Sequence, residues 1–129
     1  MVVKYLFDTH IFLWALEDSP KLPAEAKYLL GEYDQELYFS PVSIWEVSNK
    51  AGTKRAFRFS AEMFRQRLLE CGFKELPITS NHAAVVERLP RIHGDPFDRM
   101  LVAQALVEGC TLVTHDDDVA KYGEFVRKV

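Results

Sequence analysis

The chain has 129 residues, 48% of them apolar and 27% charged, with a net charge of −3 and a pI of about 5.8. That length suits a single unit over residues 1–129 with one core, and the slight excess of acid excludes a globally basic nucleic-acid footprint, leaving only local patches. The apolar runs fall well short of a membrane span, while Cys71 and Cys110 fit no metal or redox spacing, which with no secretory signal points to a reducing cytoplasm.

VVKYLF (2–7) is apolar and β-prone without clean alternation, the pattern of a strand buried on both faces of a parallel sheet. Asp8 and Thr9 follow, and IFLWAL (11–16) reads as a short apolar helix. Pro20 and Pro23 punctuate a loop, after which AEAKYLLGEY (24–33) places Ala26, Leu29, Leu30 and Tyr33 at helical spacing. ELYF (36–39) is a short second strand. Ser40-Pro41 supplies a cap and a first-turn proline for the helix VSIWEVSNKA, which ends near Gly52. TKRAFRFS (53–60) is a basic loop whose Ser60 is placed to cap a helix through residue 70, stopped at Gly72. FKELPI (73–78) contains a third short strand, Ser80 opens a helix to about Leu89, and Pro90 ends it. A loop over 91–96 leads into FDRMLVAQALVEG (97–109), the clearest helix in the chain. TLVT (111–114) is a fourth strand, HDDDVAKYG (115–123) a loop or single helical turn, and EFVRKV (124–129) a final edge strand. Strands alternating with helices imply an α/β sandwich around a mainly parallel central sheet.

In an open parallel sheet, ligands bind beyond the carboxyl ends of the strands. Strand 2–7 runs into Asp8, and strand 111–114 reaches Asp116 after His115, so both carboxylates are expected at that edge. The helix over 41–51 follows a strand and carries Glu46 in its N-terminal half, at the same edge. The helix over 97–108 precedes strand 111–114 and must run antiparallel to it, which brings Asp95 and Asp98 there too. How residues 90–96 return the chain to this edge does not follow from the pattern.

Each acid also has a purely structural role open to it. Asp8 is placed to cap the helix that follows. Glu46 can pair with Lys50 at i+4 on a solvated face, although it shares that face with Val42 and Asn49. Asp95 before Pro96 is the natural N-cap of the long helix. Asp98, at its third position, suits the helix dipole, yet it heads a face with Leu101, Val102 and Ala105 and so points inward. One of Asp116, Asp117 and Asp118 is placed to cap a turn. Convergence carries the functional reading: three or four carboxylates at one edge must take up protons or hold a divalent cation. An all-oxygen donor set suits Mg²⁺ or Mn²⁺ over Zn²⁺. Such an ion lowers the pKa of bound water and offsets charge on a phosphate, so phosphodiester hydrolysis fits best.

The histidines at 10, 82, 93 and 115 form no paired-ligand spacing, and each reads as satisfied or exposed; His115, beside Asp116, is the one placed to touch substrate or metal. Lys50, Lys54, Arg55 and Arg58 form a basic run beside the Glu46 helix, and Arg99 adjoins Asp98. Such a rim suits RNA binding through the phosphate backbone, and equally a solvated surface. Phe57 and Phe59 interleave with it, as stacking platforms or as a half-buried turn.

DTHIFLW (8–14), SIWEVSNK (43–50), HGDPFDRMLVAQA (93–105) and TLVTHDDDV (111–119), in this order and spacing, resemble the PIN-domain ribonuclease toxins of the VapC type over nearly the whole chain. The resemblance implies a three-layer α/β/α sandwich. It also implies a Mg²⁺- or Mn²⁺-dependent endoribonuclease, the toxin of a type II toxin–antitoxin pair, cutting RNA with metal-activated water to leave a 5′-phosphate and a 3′-hydroxyl. Catalytic and metal-binding roles fall on Asp8, Glu46, Asp98 and Asp116, with Thr9 and Thr114 in supporting positions and Asp95 at most outside the metal's own ligands. Lys50 matches a lysine common after the family's W-E pair. The implied partners are RNA, a cognate VapB-like antitoxin whose C-terminal segment covers the groove, and a second copy in a homodimer. Phe12, Trp14, Tyr28 and Phe64 could line such a groove, or belong to the core. The chain departs from the subgroup at Ser48-Asn49, where small and aliphatic residues are usual, and in GTKRAF (52–57), both of which bear on substrate contacts.

Other classes compete. A phosphoacceptor receiver domain needs paired acids after its first strand, an Asp ending a central strand and a Lys after a late one; here Asp8 stands alone and the other two are missing. A PIN-like module that binds RNA or a protein without catalysis is opposed by the presence of all four acids. A flap-type DNA nuclease needs a longer chain with insertions.

Overall fold

The central strands are apolar on both faces, and this dictates the layering. A computed structural model describes residues 1–129, with strands β1 (Lys4–Phe7), β2 (Glu36–Phe39), β3 (Lys74–Glu75), β4 (Thr111–Thr114) and β5 (Val126–Lys128). They form one sheet in the order β3-β2-β1-β4-β5, with every pairing parallel. The helices are α1 (Thr9–Leu16), α2 (Ala24–Leu30), α3 (Pro41–Lys50), α4 (Ala61–Glu70), α5 (Ser80–Val86), α6 (Pro96–Glu108) and α7 (Asp117–Ala120). Tyr5 and Phe7 of β1 join a core with Phe12, Leu29, Phe39 and Phe64 from α1, α2, β2 and α4. Leu6 between them turns to the opposite face, where Val85, Leu101, Val102, Leu112 and Val119 surround it. α3 gives Val47 to the first core and Val42 to the second, bridging the layers. The sandwich is three-layered and wholly parallel. A receiver domain orders its sheet 2-1-3-4-5, so the observed order removes that rival.

Capping residues set the element starts much as their chemistry requires. Ser40, Ser60 and Asp95 each accept a backbone N–H in the first turn of α3, α4 and α6, with Pro41 and Pro96 just inside. Gly109 ends α6 at φ 69°, a conformation glycine adopts without Cβ strain. Other boundaries differ from expectation. α2 stops at Leu30, leaving Tyr33 exposed beyond Gly31. β3 keeps only two residues of 73–78: the Leu76 N–H still reaches the Phe39 carbonyl, but β2 ends there as Ser40-Pro41 open α3. α5 ends at Val86 rather than Leu89, and its cap is Thr79: the Thr79 hydroxyl accepts from the His82 N–H while His82 Nδ1 accepts from the Thr79 N–H. Phe12 and Phe64 are fully buried, whereas Tyr28 is exposed on α2, so these rings do not line a common groove. No helix is long and apolar enough to cross a membrane.

The return to the carboxyl edge is made by α5 itself, not by residues 90–96. His82 in the first turn of α5 meets Glu108 at the end of α6, and the Val86 carbonyl accepts from Arg99 in the first turn of α6. α5 therefore runs antiparallel to α6, and residues 76–79 carry the chain down to its start. Gln104 fastens this arrangement from inside: its Nε2 donates to the Leu76 carbonyl at 2.9 Å, and its Oε1 accepts from the Ser40 hydroxyl. Gln104 and Ser40 are both fully buried. Replacing Gln104 with Leu strands the buried Ser40 hydroxyl and the half-buried Leu76 carbonyl and should cost about 1–3 kcal/mol in urea unfolding. The Ser40→Ala, Gln104→Leu double variant should cost less than the sum of the two single changes, because the pair shares one bond; additive costs would show that no such link holds α3 to α6.

Candidate active site

β1 and β4 lie side by side and end together, which sets the first two acids. The Asp8 N–H donates to the Val113 carbonyl at 3.0 Å, extending the ladder to the carboxyl edge. Asp8 Oδ1 then caps α1 by accepting from the Ile11 N–H at 3.1 Å, and Oδ2 accepts from the Thr114 hydroxyl. Asp8 is 7% exposed, so its capping role and a place in a buried site coexist. Thr114 Oγ1 also accepts from the Asp116 N–H at 3.0 Å, tying the second acid to the first. Asp116 Oδ1 caps α7 by accepting from the N–H groups of Asp118 and Val119.

Glu46 enters from α3. It is buried, and Lys50 Nζ lies 2.6 Å from its carboxylate. The i+4 pair is therefore real, but it faces inward rather than solvent. Thr9 does not face the cavity; its hydroxyl donates to Ser43 Oγ at 2.9 Å, pinning the start of α1 to the helix that carries Glu46. Lys50 Nζ also sits over the Phe57 and Phe97 rings, 5.4 and 5.8 Å from their centroids. α6 supplies the remaining acids. Asp95 accepts from the N–H groups of Phe97 and Asp98 and is the cap, while Asp98 turns inward. Asp8, Glu46, Asp98 and Asp116 thus line one cavity of about 320 Å³ together with Lys50 and Asp95. Its remaining wall is formed by His10, Trp14, His93 and His115.

His93 is the residue that sequence reasoning missed. Its Nε2 lies 3.2 Å from Asp116 Oδ2 and 3.3 Å from Asp98 Oδ2. The signal was local: a histidine two residues before a capping Asp-Pro can fold its ring back onto the N–H of that Asp. His115 instead turns its Nδ1 to the Val129 carbonyl, 2.6 Å away, and packs its ring on Trp14. Arg99 does not line the cavity. Its guanidinium donates to the Pro90 and Val86 carbonyls and to the Tyr122 hydroxyl, so it holds the α5–α6 connection. Lys54 and Arg55 are exposed and line an open groove with Asn49, Thr53 and Phe97, continuous with the acidic cavity through Lys50 and Asp95. Phe57 and Phe59 are half-buried against the first core, which makes them packing groups rather than exposed platforms.

Burial pushes the Asp98 carboxyl up to about 7, with the charges of Asp95, Asp8 and Glu46 adding to the shift. Burial likewise raises Asp8, against the lowering effect of its bonds from Thr114 and Ile11. Partial burial would raise Asp116 too, but the N–H of Val119, the His93 ring and the N–H of Asp118 outweigh it and hold this carboxyl below its usual range. The cavity thus stores uncompensated negative charge that a proton or a cation must offset. Oxygen donors from four separate elements suit a hard divalent cation, and carboxylate oxygens of Asp98 and Asp116 lie within 4.8 Å of each other beside the His93 ring. The residues present fit such an ion.

Comparison with known proteins agrees with this architecture. The family described as PIN domain matches residues 5–124. No curated protein matches in sequence. Among solved structures, VapBC2 from Rickettsia felis bound to a DNA fragment from its promoter is similar at 15% identity and a TM-score of 0.70, covering 98% of this chain and 99% of that one. A toxin–antitoxin complex from Klebsiella pneumoniae is similar at 19% identity and a TM-score of 0.67, covering 98% and 100%. FitAcB from Neisseria gonorrhoeae is similar at 18% identity and a TM-score of 0.60, covering 89% of each.

The raised Asp98 sets a sign for pH dependence. Its folded value of about 7 exceeds the ordinary 3.8, so between these pH values the folded chain binds more protons than the unfolded one. The stability this contributes is full below about pH 4 and lost as the pH rises through about 7. Metal-free protein should therefore lose Tm over that window, Asp98→Asn should flatten the loss, and Mg²⁺ should raise Tm far more at pH 8 than at pH 5. Equal Mg²⁺ effects at both pH values, or an unchanged slope in the variant, would contradict the charge-storing site.

Proposed function

The chain belongs to the PIN-domain family, and from that premise we propose that it is a Mg²⁺- or Mn²⁺-dependent endoribonuclease acting as the toxin of a type II toxin–antitoxin pair. The observation that carries this reading is the meeting of Asp8, Glu46, Asp98 and Asp116 in one cavity beside a basic groove. These four residues would hold the cation. When bound, it would supply a Lewis acid that lowers the pKa of water and offsets the charge of a phosphodiester. Cleavage would leave a 5′-phosphate and a 3′-hydroxyl.

The chain's own groups supply the rest. Lys54 and Arg55 grip backbone phosphates along the groove. Lys50, held between Glu46 and two rings, presents a cation at the point where groove and cavity join. His10, Trp14 and His115 form a ring-lined wall, with centroids 5.8 and 5.6 Å apart, against which an unpaired base can stack. Thr114 keeps Asp8 and Asp116 in register. The partner is a VapB-like antitoxin, a reading supported by the toxin–antitoxin complexes among the similar structures. Homodimerisation and action in the cytoplasm belong to the same proposal.

Purified free of antitoxin, the chain should cut single-stranded RNA in Mg²⁺ or Mn²⁺ and stop on EDTA. Asp8→Asn and Asp98→Asn should each abolish cutting with the circular dichroism of the folded chain retained, whereas Asp95→Ala should mainly cost about 1 kcal/mol of stability through the lost cap. Cleavage that persists in EDTA would sink the metal reading, and an inactive Asp95→Ala beside an active Asp98→Asn would reverse the assignment. Lys54→Ala and Arg55→Ala should weaken RNA binding and each reduce the slope of log affinity against log salt by about 0.7; unchanged slopes would place the RNA elsewhere.

A further inference from the structure

His93 stands among the site carboxylates, but its ring is arranged to donate. Nδ1 accepts the Asp95 backbone N–H at 3.0 Å, so that nitrogen carries a lone pair and the proton of the neutral ring resides on Nε2. Nε2 in turn lies between Asp116 Oδ2 and Asp98 Oδ2, at 3.2 and 3.3 Å. That N–H is thus hydrogen-bonded to Asp116 at the β4–α7 junction and in close electrostatic contact with Asp98 on α6. The backbone fixes the ring from behind: the His93 N–H donates to the Tyr122 hydroxyl at 3.0 Å, and that hydroxyl also receives Arg99. To ligate an ion, a neutral imidazole must point its bare nitrogen at it. Here the bare nitrogen is occupied by the backbone, and the protonated one faces the acids.

We propose that His93 is a positioning residue and not a metal ligand: its Nε2–H, bonded to Asp116 and in charge contact with Asp98, holds the two acids at the spacing in which they take a divalent cation. The donor set that remains is all carboxylate, which favours Mg²⁺ and Mn²⁺ over Zn²⁺. This rests on the metal site proposed above. Hydrogen-bonded partners of ligating carboxylates orient them, and their loss typically costs about 10–100-fold in metal affinity.

The ring itself can be read by long-range ¹H–¹⁵N correlation on wild-type protein labelled at histidine. The expected pattern is a proton on Nε2 and none on Nδ1, unchanged at saturating Mg²⁺. A proton on Nδ1 in the metal-free chain, or loss of the Nε2 proton on adding Mg²⁺, would overturn the proposal. Independently, His93→Ala should weaken Mn²⁺ binding, followed by electron paramagnetic resonance, about 10–100-fold. Zn²⁺ binding, followed by competition, should weaken by the same factor, and His93→Gln, whose amide also donates, should recover most of the loss. Selective loss of Zn²⁺ with no recovery in His93→Gln would mark His93 as a ligand. Wild-type protein that binds no Mg²⁺ at all would count against the nuclease reading, while the metal-free ring pattern would still decide the tautomer.

Discussion

A carboxylate buried where two neighbouring parallel strands end is the constraint on which this structure turns. Asp8 has no basic partner in contact; its two oxygens are met by a backbone N–H of α1 and by the Thr114 hydroxyl. Buried acids without a counter-ion are tolerated only when hydrogen bonds satisfy them. Both bonds require particular chain positions: α1 must begin at once after β1, and β4 must lie beside β1 and end at the same level. The sheet order with β1 between β2 and β4 follows from that placement as much as from apolar burial. The same threonine reaches the Asp116 N–H, so one hydroxyl sets the relative position of two acids.

Elements whose signals are local were legible in the sequence. Ser40-Pro41, Ser60 and Asp95-Pro96 start helices because a side-chain oxygen meets an orphan N–H and proline removes another. The convergence of Asp8, Glu46, Asp98 and Asp116 on one cavity was legible too, because parallel topology fixes which end of each element faces the ligand edge. Features set by partners distant in the chain were not. The direction of α5 depends on His82 meeting Glu108 and on Arg99 meeting Val86, contacts with no periodic signature. Arg99 beside Asp98 suggested a phosphate grip, yet its guanidinium turns to the Val86 and Pro90 carbonyls and the Tyr122 hydroxyl. His93 was half-legible: its ring's bond to the Asp95 N–H is a local motif, but its contact with Asp116, 23 positions on, is not.

Charge is partitioned sharply across a short distance. The cavity is acidic and partly desolvated, while the adjoining groove carries Lys54 and Arg55 in the open. Lys50 belongs to both, and its pairing with Glu46 keeps its ammonium at the boundary. Under the proposed reading, a polyanion would be attracted along the groove and repelled at the cavity until the acids are neutralised, so cation loading and RNA binding would reinforce each other. This coupling needs no moving part, only the fixed placement of like and unlike charges.

The hydrogen bond from Thr114 to Asp8 closes a loop of 106 positions. A ribosome making this chain has therefore already released β1, α1 and α3 while Asp8 still lacks its strand neighbour β4 and the acid beyond it. Long-range parallel pairing also forms slowly relative to local helices. The four carboxylates can meet only once β4 and Asp116 have been made, long after Asp8 itself.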